Sequence, residues 1–137
     1  HQRGHMYRAV MEGIAYEYHY YQKVLRQLYP GNSFQRMWAI GGGARSELFL
    51  KIKADVMNAE ISSFEMGDTA LTGIAVIAGM GIGMIKDYEK IIEGNRQLRW
   101  KYEAREEETE NLEKYGRLAE RYLQVMECLG PVYKERW

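Results

Sequence analysis

Three consecutive glycines, Gly41, Gly42 and Gly43, join a short apolar run to a helical pattern. The run over residues 37–40 is uninterrupted and has the length of a strand, which is typical of a parallel strand covered on both faces. Apolar residues then repeat at helical spacing, at Leu48, Phe49, Ile52 and Val56. Glycines allow positive φ angles and leave no Cβ in the path of a ligand. A glycine turn between a strand end and a helix start therefore predicts a ligand site, where bare N–H groups and the helix dipole favour anions such as phosphate.

Two long helices are predicted near the ends of the chain. Over residues 7–28 the apolar residues fall in steps of three and four, apart from the adjacent pair Val10 and Met11, and turn-forming residues follow at 29–33. The same spacing recurs over residues 112–129, and we expect Gly130 and Pro131 to end that helix. Cys128 lies close to the apolar side of this last helix and is expected to be buried.

Weaker patterns lie between these helices. Residues 60–65 predict a strand whose weak alternation suits the edge of a sheet, and residues 97–103 predict another strand. Asp68 is a predicted N-cap for a helix whose next dozen residues are small or apolar on all sides, as in a buried helix. The order of elements is that of an α/β fold with a small sheet and long packed helices.

The composition is that of a soluble globular domain. The chain has 137 residues, enough for one domain with a core, and 19 basic residues balance 19 acidic ones. Because there is no net charge, we expect no nucleic-acid partner and no membrane partner. The single cysteine excludes an intramolecular disulfide framework, so we predict a cytoplasmic location.

The glycine turn matches neither of the two common phosphate-binding motifs. It lacks the third glycine of GxGxxG, and it lacks the Gly-Lys-Ser/Thr of a P-loop. Two interpretations remain open: the turn contacts a nucleotide through its backbone, or it only permits a tight strand-to-helix connection.

Other candidate chemistry is weaker. His1, His5 and His19 do not form a ligand-spaced set with acidic residues or cysteine, so we predict no metal site within the chain. Asp55 and Asp68 are the carboxylates to consider as acid or base, but a salt bridge and a helix N-cap are the simpler roles for them.

Three segments, in order and spacing, resemble the FGGY carbohydrate kinases, the xylulokinase and glycerol kinase group. The segment that opens the C-terminal portion of their second domain is similar to residues 1–17, HQRGHMYRAVMEGIAYE. Their adenosine-side motif resembles residues 41–61, GGGARSELFLKIKADVMNAEI, and the acidic residue and small-residue helix that come next resemble residues 68–85, DTALTGIAVIAGMGIGMI. The resemblance implies a partial actin-like ATPase domain of ribonuclease H-like fold.

The resemblance also implies which residues contact the nucleotide. It places the backbone of the glycine turn against the ribose and adenine of ATP, with two side chains at the following helix start lining the same pocket. The residues it assigns to ATP are Gly41, Gly42, Gly43, Ala44, Ser46 and Glu47. Two positions depart from the family: Thr72 replaces a usual glycine, and Glu47 puts a carboxylate where a neutral side chain would lie more easily beside a nucleotide.

The family takes its catalytic aspartate and its sugar-binding residues from sequence upstream of anything present here. The resemblance therefore implies that residues 1–137 are a C-terminal fragment of the nucleotide-side domain, inactive alone. It implies that the full-length parent uses ATP and magnesium to phosphorylate a sugar or polyol hydroxyl, with the Mg²⁺ ligands mostly outside this fragment.

Two other classes of function stay open from the sequence. One is a non-catalytic actin-like ATPase homologue, or a fragment of a sugar-responsive regulator. The other is an interaction module that forms a homodimer through its tyrosine-rich first and last helices.

Overall fold

The computed structural model describes residues 2–65, 68–94, 97–103 and 109–134. In chain order its elements are α1 (Arg3–Leu28), β1 (Arg36–Ala39), a 3-10 turn (Gly42–Arg45), α2 (Glu47–Met57), β2 (Glu60–Phe64), α3 (Thr69–Gly81), α4 (Tyr88–Gly94), β3 (Leu98–Tyr102) and α5 (Thr109–Lys134). The described part of the chain is thus mixed α/β, with long helices and a small sheet, as predicted.

The sheet has three strands in the order β1-β2-β3. β1 runs parallel to β2, with Arg36 opposite Glu60, and β2 runs antiparallel to β3, with Ile61 opposite Tyr102. The prediction that residues 60–65 form an edge strand was wrong, because β2 lies in the centre. Its alternation is weak because Ser62 and Ser63 are buried along with Ile61, so both faces of this strand are covered.

Helix α2 lies between the sheet and a second layer of helices. One side of α2 packs on the sheet through Leu50, Ala54 and Met57, which cluster with Ala59 and Ile61. The opposite side contacts α1 and α5 in a second cluster. That cluster contains Ala15, Tyr16, Ile52, Val56, Tyr115 and Ala119. The two clusters fix the helix that follows the glycine turn from both sides.

The long helix α1 packs with an unexpected face. Its buried residues are Ala15, Tyr16 and Gln22, and the Gln22 side-chain amide donates to the Phe34 carbonyl at 2.9 Å. Most of the apolar stripe that makes this segment amphipathic lies instead on the exposed side. The exposed members are Tyr7, Val10, Ile14, Tyr18, Tyr21, Leu25 and Leu28. The described chain therefore leaves most of the apolar side of α1 uncovered.

Helix α3 is formed as predicted but is not buried. Val76 is its one residue that the structure places in the core, while Leu71, Ile74 and Ile77 are exposed. The prediction that β1 is covered on both faces was also wrong, since Trp38 is 56% exposed. Both patterns indicate burial, but the elements described on this side of the sheet cover only part of each surface.

Helix α5 differs from the prediction at its C-terminal end. It continues through Pro131 to Lys134, so Gly130 and Pro131 do not end it. Pro131 has no N–H to donate to the carbonyl four residues earlier. Because it lies in the last described turn of α5, the helix loses only one hydrogen bond near its end. Cys128 is exposed, so the prediction that it is buried was wrong.

Candidate functional site

The glycine turn begins directly beyond the C-terminal end of β1. Gly41 has φ 79° and ψ −166°, a combination that is essentially restricted to glycine. The chain then closes one 3-10 turn, in which the Ala44 N–H donates to the Gly41 carbonyl at 3.1 Å. The Ser46 N–H donates to the Gly43 carbonyl at 3.4 Å. The glycine at position 41 is therefore required by the backbone itself, before any ligand is considered.

Ser46 starts α2 as its N-cap. Its Oγ accepts a hydrogen bond from the Phe49 N–H at 3.3 Å, which satisfies one of the free donors of the first helical turn. The positive end of the α2 dipole is thus presented beside the glycine turn. Ser46 consequently has a structural role as well as its predicted place in a ligand site.

The carboxylate of Glu47 is held along the helix. Lys51 Nζ lies 2.8 Å from its Oε1, one helical turn further on. Hydrogen bonding from Lys51, followed by that from Tyr102, lowers the pKa of the Glu47 carboxyl. Because Lys51 offsets part of its charge, this glutamate is a smaller obstacle to a nearby anion than its sequence position suggests.

The turn is open to an approaching ligand. All three glycines are exposed, and a Cβ added at Gly41 or Gly42 would meet no atom within 4 Å. The enclosed space beside the turn is only about 20 Å³, far too small for a nucleoside. A base or ribose at this site would therefore lie on the open backbone surface of the turn, where the absence of side chains permits close contact.

The back of the turn is supported by a row of side chains. The Phe49 ring lies against Gly43, and Lys53 Nζ lies 4.2 Å from the centroid of that ring. The same ammonium group lies 4.3 Å from the ring centroid of Tyr18 on α1. Burial lowers the pKa of Lys53, and the two aromatic rings compensate part of its desolvation through cation–π contact. This row connects the turn to the helical layer.

The structure brings further residues to the turn that the sequence patterns did not identify. Arg45, Thr69 and Arg99 line the small cavity beside Gly41 and Ala44. Arg99 comes from β3, more than fifty residues away, and no spacing rule connects it with the glycines. Arg45 lies within the adenosine-side motif. Its positive charge next to three glycines could have identified it as a residue of the candidate site.

Several other sequence candidates are placed by the structure. Asp68 caps α3, accepting from the N–H groups of Ala70 and Leu71, both at 3.1 Å, so the N-cap prediction is confirmed. Asp55 lies within α2, and His1 falls outside the described residues. Across residues 2–65, 68–94, 97–103 and 109–134, no three His, Cys, Asp or Glu side chains are grouped as metal ligands. In the same ranges no helix is long and apolar enough to span a membrane.

Comparison with known proteins agrees with the resemblance read from the motifs. Residues 1–82 match the family model of the C-terminal domain of the FGGY family of carbohydrate kinases. The chain is 30% identical over 115 residues to the xylulose kinase of Staphylococcus epidermidis RP62A, covering 84% of this chain and 23% of that protein. It is 30% identical over 125 residues to the xylulose kinase of Bacillus subtilis 168, covering 91% and 24%.

A solved structure shows the same fold. The crystal structure of xylulose kinase from Rhodospirillum rubrum superposes with a TM-score of 0.71 at 26% identity, over 98% of this chain and 26% of that one. The chain thus spans about a quarter of the length of the relatives it matches. This likeness confirms the prediction of a partial actin-like α/β domain. With more than half of its residues matched by the family model, the chain belongs to the FGGY family of carbohydrate kinases.

Proposed function

We propose that the chain forms the adenosine-side wall of the ATP site in a carbohydrate kinase. In that enzyme the γ-phosphate of ATP is transferred to a sugar or polyol hydroxyl, and residues 1–137 are a C-terminal part of the nucleotide-side domain. The observation that carries the proposal is the open glycine turn between β1 and α2, in a chain that belongs to a sugar kinase family. Family membership supports a kinase over a non-catalytic homologue or regulator.

The proposed roles follow from the geometry of the turn. Gly42 and Gly43 are exposed and carry no Cβ, so an adenine or ribose can rest directly on their backbone. The N-terminus of α2, capped by Ser46, directs its dipole toward the negative charge of the phosphates. The turn binds and orients the nucleotide in this proposal, and it performs no proton transfer.

We propose that the ligands of Mg²⁺ lie mostly outside this part of the kinase. The polar residues that line the small cavity beside the turn are Arg45, Glu65, Thr69 and Arg99, and Glu47 is paired with Lys51. One carboxylate beside two arginines is not the oxygen-rich set that Mg²⁺ prefers. When bound with ATP elsewhere in the site, Mg²⁺ offsets phosphate charge during phosphoryl transfer. We propose that its ligands and the catalytic aspartate belong to the remainder of the kinase, and that the fragment alone is inactive.

The enzymatic part of the proposal is tested on the full-length kinase. Purified enzyme is supplied with ATP, Mg²⁺ and a panel of pentoses, hexoses and polyols, and ADP release is measured. We expect release that depends on one class of sugar, and an increase in the KM for ATP in the Gly42→Ala variant. Sugar-independent or absent ADP release from folded enzyme, across the whole panel, would refute the proposed function.

A further inference from the structure

A lysine without an ionic partner lies behind the glycine turn. Lys53 on α2 is only 8% exposed, whereas the side chain of Lys51 on the same helix is 41% exposed and pairs with Glu47. Among the described residues, none forms an ion pair or a hydrogen bond with the Lys53 ammonium group. A buried charge without a carboxylate loses solvation, a cost that an apolar side chain of similar length avoids. The presence of Lys53 here therefore indicates a role other than stabilising the fold.

The ammonium group of Lys53 lies close to two aromatic rings from different helices. Phe49 precedes Lys53 by four residues on α2, so the two side chains share one face of the helix. Lys53 Nζ is 4.2 Å from the ring centroid of Phe49 and 4.3 Å from that of Tyr18, which α1 contributes. Both distances are within the limit of about 6 Å for a cation–π contact. The charge thus connects a ring of α2 with a ring of α1.

The Phe49 ring is the contact between this charge and the glycine turn. A Cβ at Gly43 would lie 3.3 Å from Phe49 Cε1, so the ring lies directly against the backbone of the last glycine. The Phe49 N–H also donates to Oγ of Ser46, the residue that caps α2. Phe49 is only partly buried, so its ring has fewer packing partners than the ring of a core residue. The attraction of Lys53 therefore adds a restraint on the position of this ring.

We propose that Lys53 is a positioning residue for the glycine turn: it holds the Phe49 ring against Gly43 and thereby fixes the backbone on which the adenosine of ATP rests. Lys53 contacts no nucleotide in this proposal and takes no part in phosphoryl transfer. The identity of the ligand rests on the proposed function. A preorganised backbone binds a ligand more tightly, because less order has to be gained on binding. Loss of the Lys53 charge should therefore weaken ATP binding without weakening the fold.

Three substitutions of lysine test this role. Lys53→Met retains an unbranched side chain without the charge, and Lys53→Arg retains a cation that stacks on aromatic rings. Lys114→Met makes the same change at an exposed position of α5 and is the matched control. The amide shift of Gly43 and the melting temperature are compared among the ¹⁵N-labelled chains without nucleotide. The KM for ATP and kcat are measured for each variant in the full-length kinase.

We expect Lys53→Met to displace the Gly43 amide and to leave the melting temperature no lower than that of the parent. In the kinase it should raise the KM for ATP by at least about threefold, the effect of one cation–π contact, with kcat within about twofold of the parent. Lys53→Arg should retain most of the parent affinity, and Lys114→Met all of it. In a Phe49→Leu background, Lys53→Met should raise the KM little further, because the ring through which Lys53 acts is gone.

An unchanged Gly43 amide, or an unchanged KM in an active kinase, would overturn the proposal. An equal rise in KM with and without the Phe49 ring would overturn it too, because the charge would then act on ATP through space. A lower melting temperature together with a fall in kcat would show that Lys53 supports the fold and not the turn. A displaced Gly43 amide, in a kinase that binds no ATP, would leave Lys53 as the residue that positions the turn and refute the proposed function.

Discussion

The Phe49 ring packs against Gly43 so closely that a Cβ at this glycine would lie 3.3 Å from Phe49 Cε1. The φ angle of Gly43 is not positive, so its backbone would accept other residues. The contact with the Phe49 ring is therefore what disfavours a larger side chain at this position. The contact fixes the last glycine of the turn to the first turn of α2. It therefore links the shape of the candidate nucleotide site to the packing of the core behind it.

Gly43→Ala is expected to destabilise the chain through this contact. The ring must move by a few tenths of an ångström, and overpacking of this kind costs about 1 kcal/mol or more of unfolding free energy. Urea unfolding of Gly43→Ala, Phe49→Leu and the double variant measures the coupling. We expect the smaller leucine to relieve the clash, with a favourable coupling of at least ~0.5 kcal/mol. Additive losses in the double variant would show that the two positions do not interact.

Gly41→Ala and Gly42→Ala separate folding from binding. At Gly41 the backbone angles are open only to glycine, so alanine should cost about 1–3 kcal/mol of stability. At Gly42 the angles are ordinary and the space is empty, so alanine should leave stability within about 0.5 kcal/mol. Thermal unfolding followed by circular dichroism distinguishes the two. Equal melting temperatures for the two variants would contradict the assigned strain.

Asp68→Ala should destabilise α3. The carboxylate accepts hydrogen bonds from the Ala70 and Leu71 N–H groups, and removal of an N-cap costs about 1 kcal/mol. Asp68→Asn retains an oxygen acceptor and is the matched control, expected to lose much less. The free energy of unfolding in urea checks both. An asparagine variant as unstable as the alanine one would indicate that charge, not the cap, is what matters here.

Acidification should destabilise the chain through His19. Burial, and then the positive charge of Lys23, lower the pKa of this imidazole below its usual value of 6.5. His19 therefore binds a proton more readily in the unfolded chain than in the folded chain. The free energy of unfolding consequently falls as the pH decreases below 6.5 toward the pKa of the folded state. His19→Gln carries no titrating group at this position.

Melting temperatures between about pH 7.5 and pH 5 test this linkage, since that range spans the usual histidine pKa. The parent chain should lose more stability over this range than His19→Gln. The Lys23–Glu120 ion pair is present in both chains and cancels in the comparison. Parallel pH curves for the two would show that His19 titrates alike in the folded and unfolded states.

Local patterns predicted most of the elements correctly. Helical spacing identified α1, α2 and α5, and Asp68 marked the start of α3, because capping and periodicity depend on neighbouring residues. Burial was predicted less well. The apolar patterns of α1, α3 and β1 indicate core positions, yet these surfaces are exposed, since burial depends on what lies opposite and not on the segment itself.

The candidate site shows the same division. The glycine turn and the position of Ser46 at the helix start could be predicted because they lie within one continuous motif, whereas the N-cap role of Ser46 came from the structure. Arg99 and Thr69 could not, because only the pairing of β3 with β2 and the position of α3 bring them beside Gly41. Pairing between strands that are far apart in the chain leaves no periodic pattern in a single sequence. The residues that such strands contribute to the site were therefore identified only from the structure.

The most direct test of the account is a titration of the ¹⁵N-labelled chain with ATP to millimolar concentration, followed by amide chemical shifts. We predict that the shifts concentrate on residues 41–47, that binding is weak because this chain supplies only one wall of the site, and that Gly42→Ala diminishes the shifts without unfolding the chain. Binding of ATP to the full-length kinase is measured in parallel. Unchanged amides at 41–47 together with no ATP binding by the full-length kinase would contradict a nucleotide role for the glycine turn.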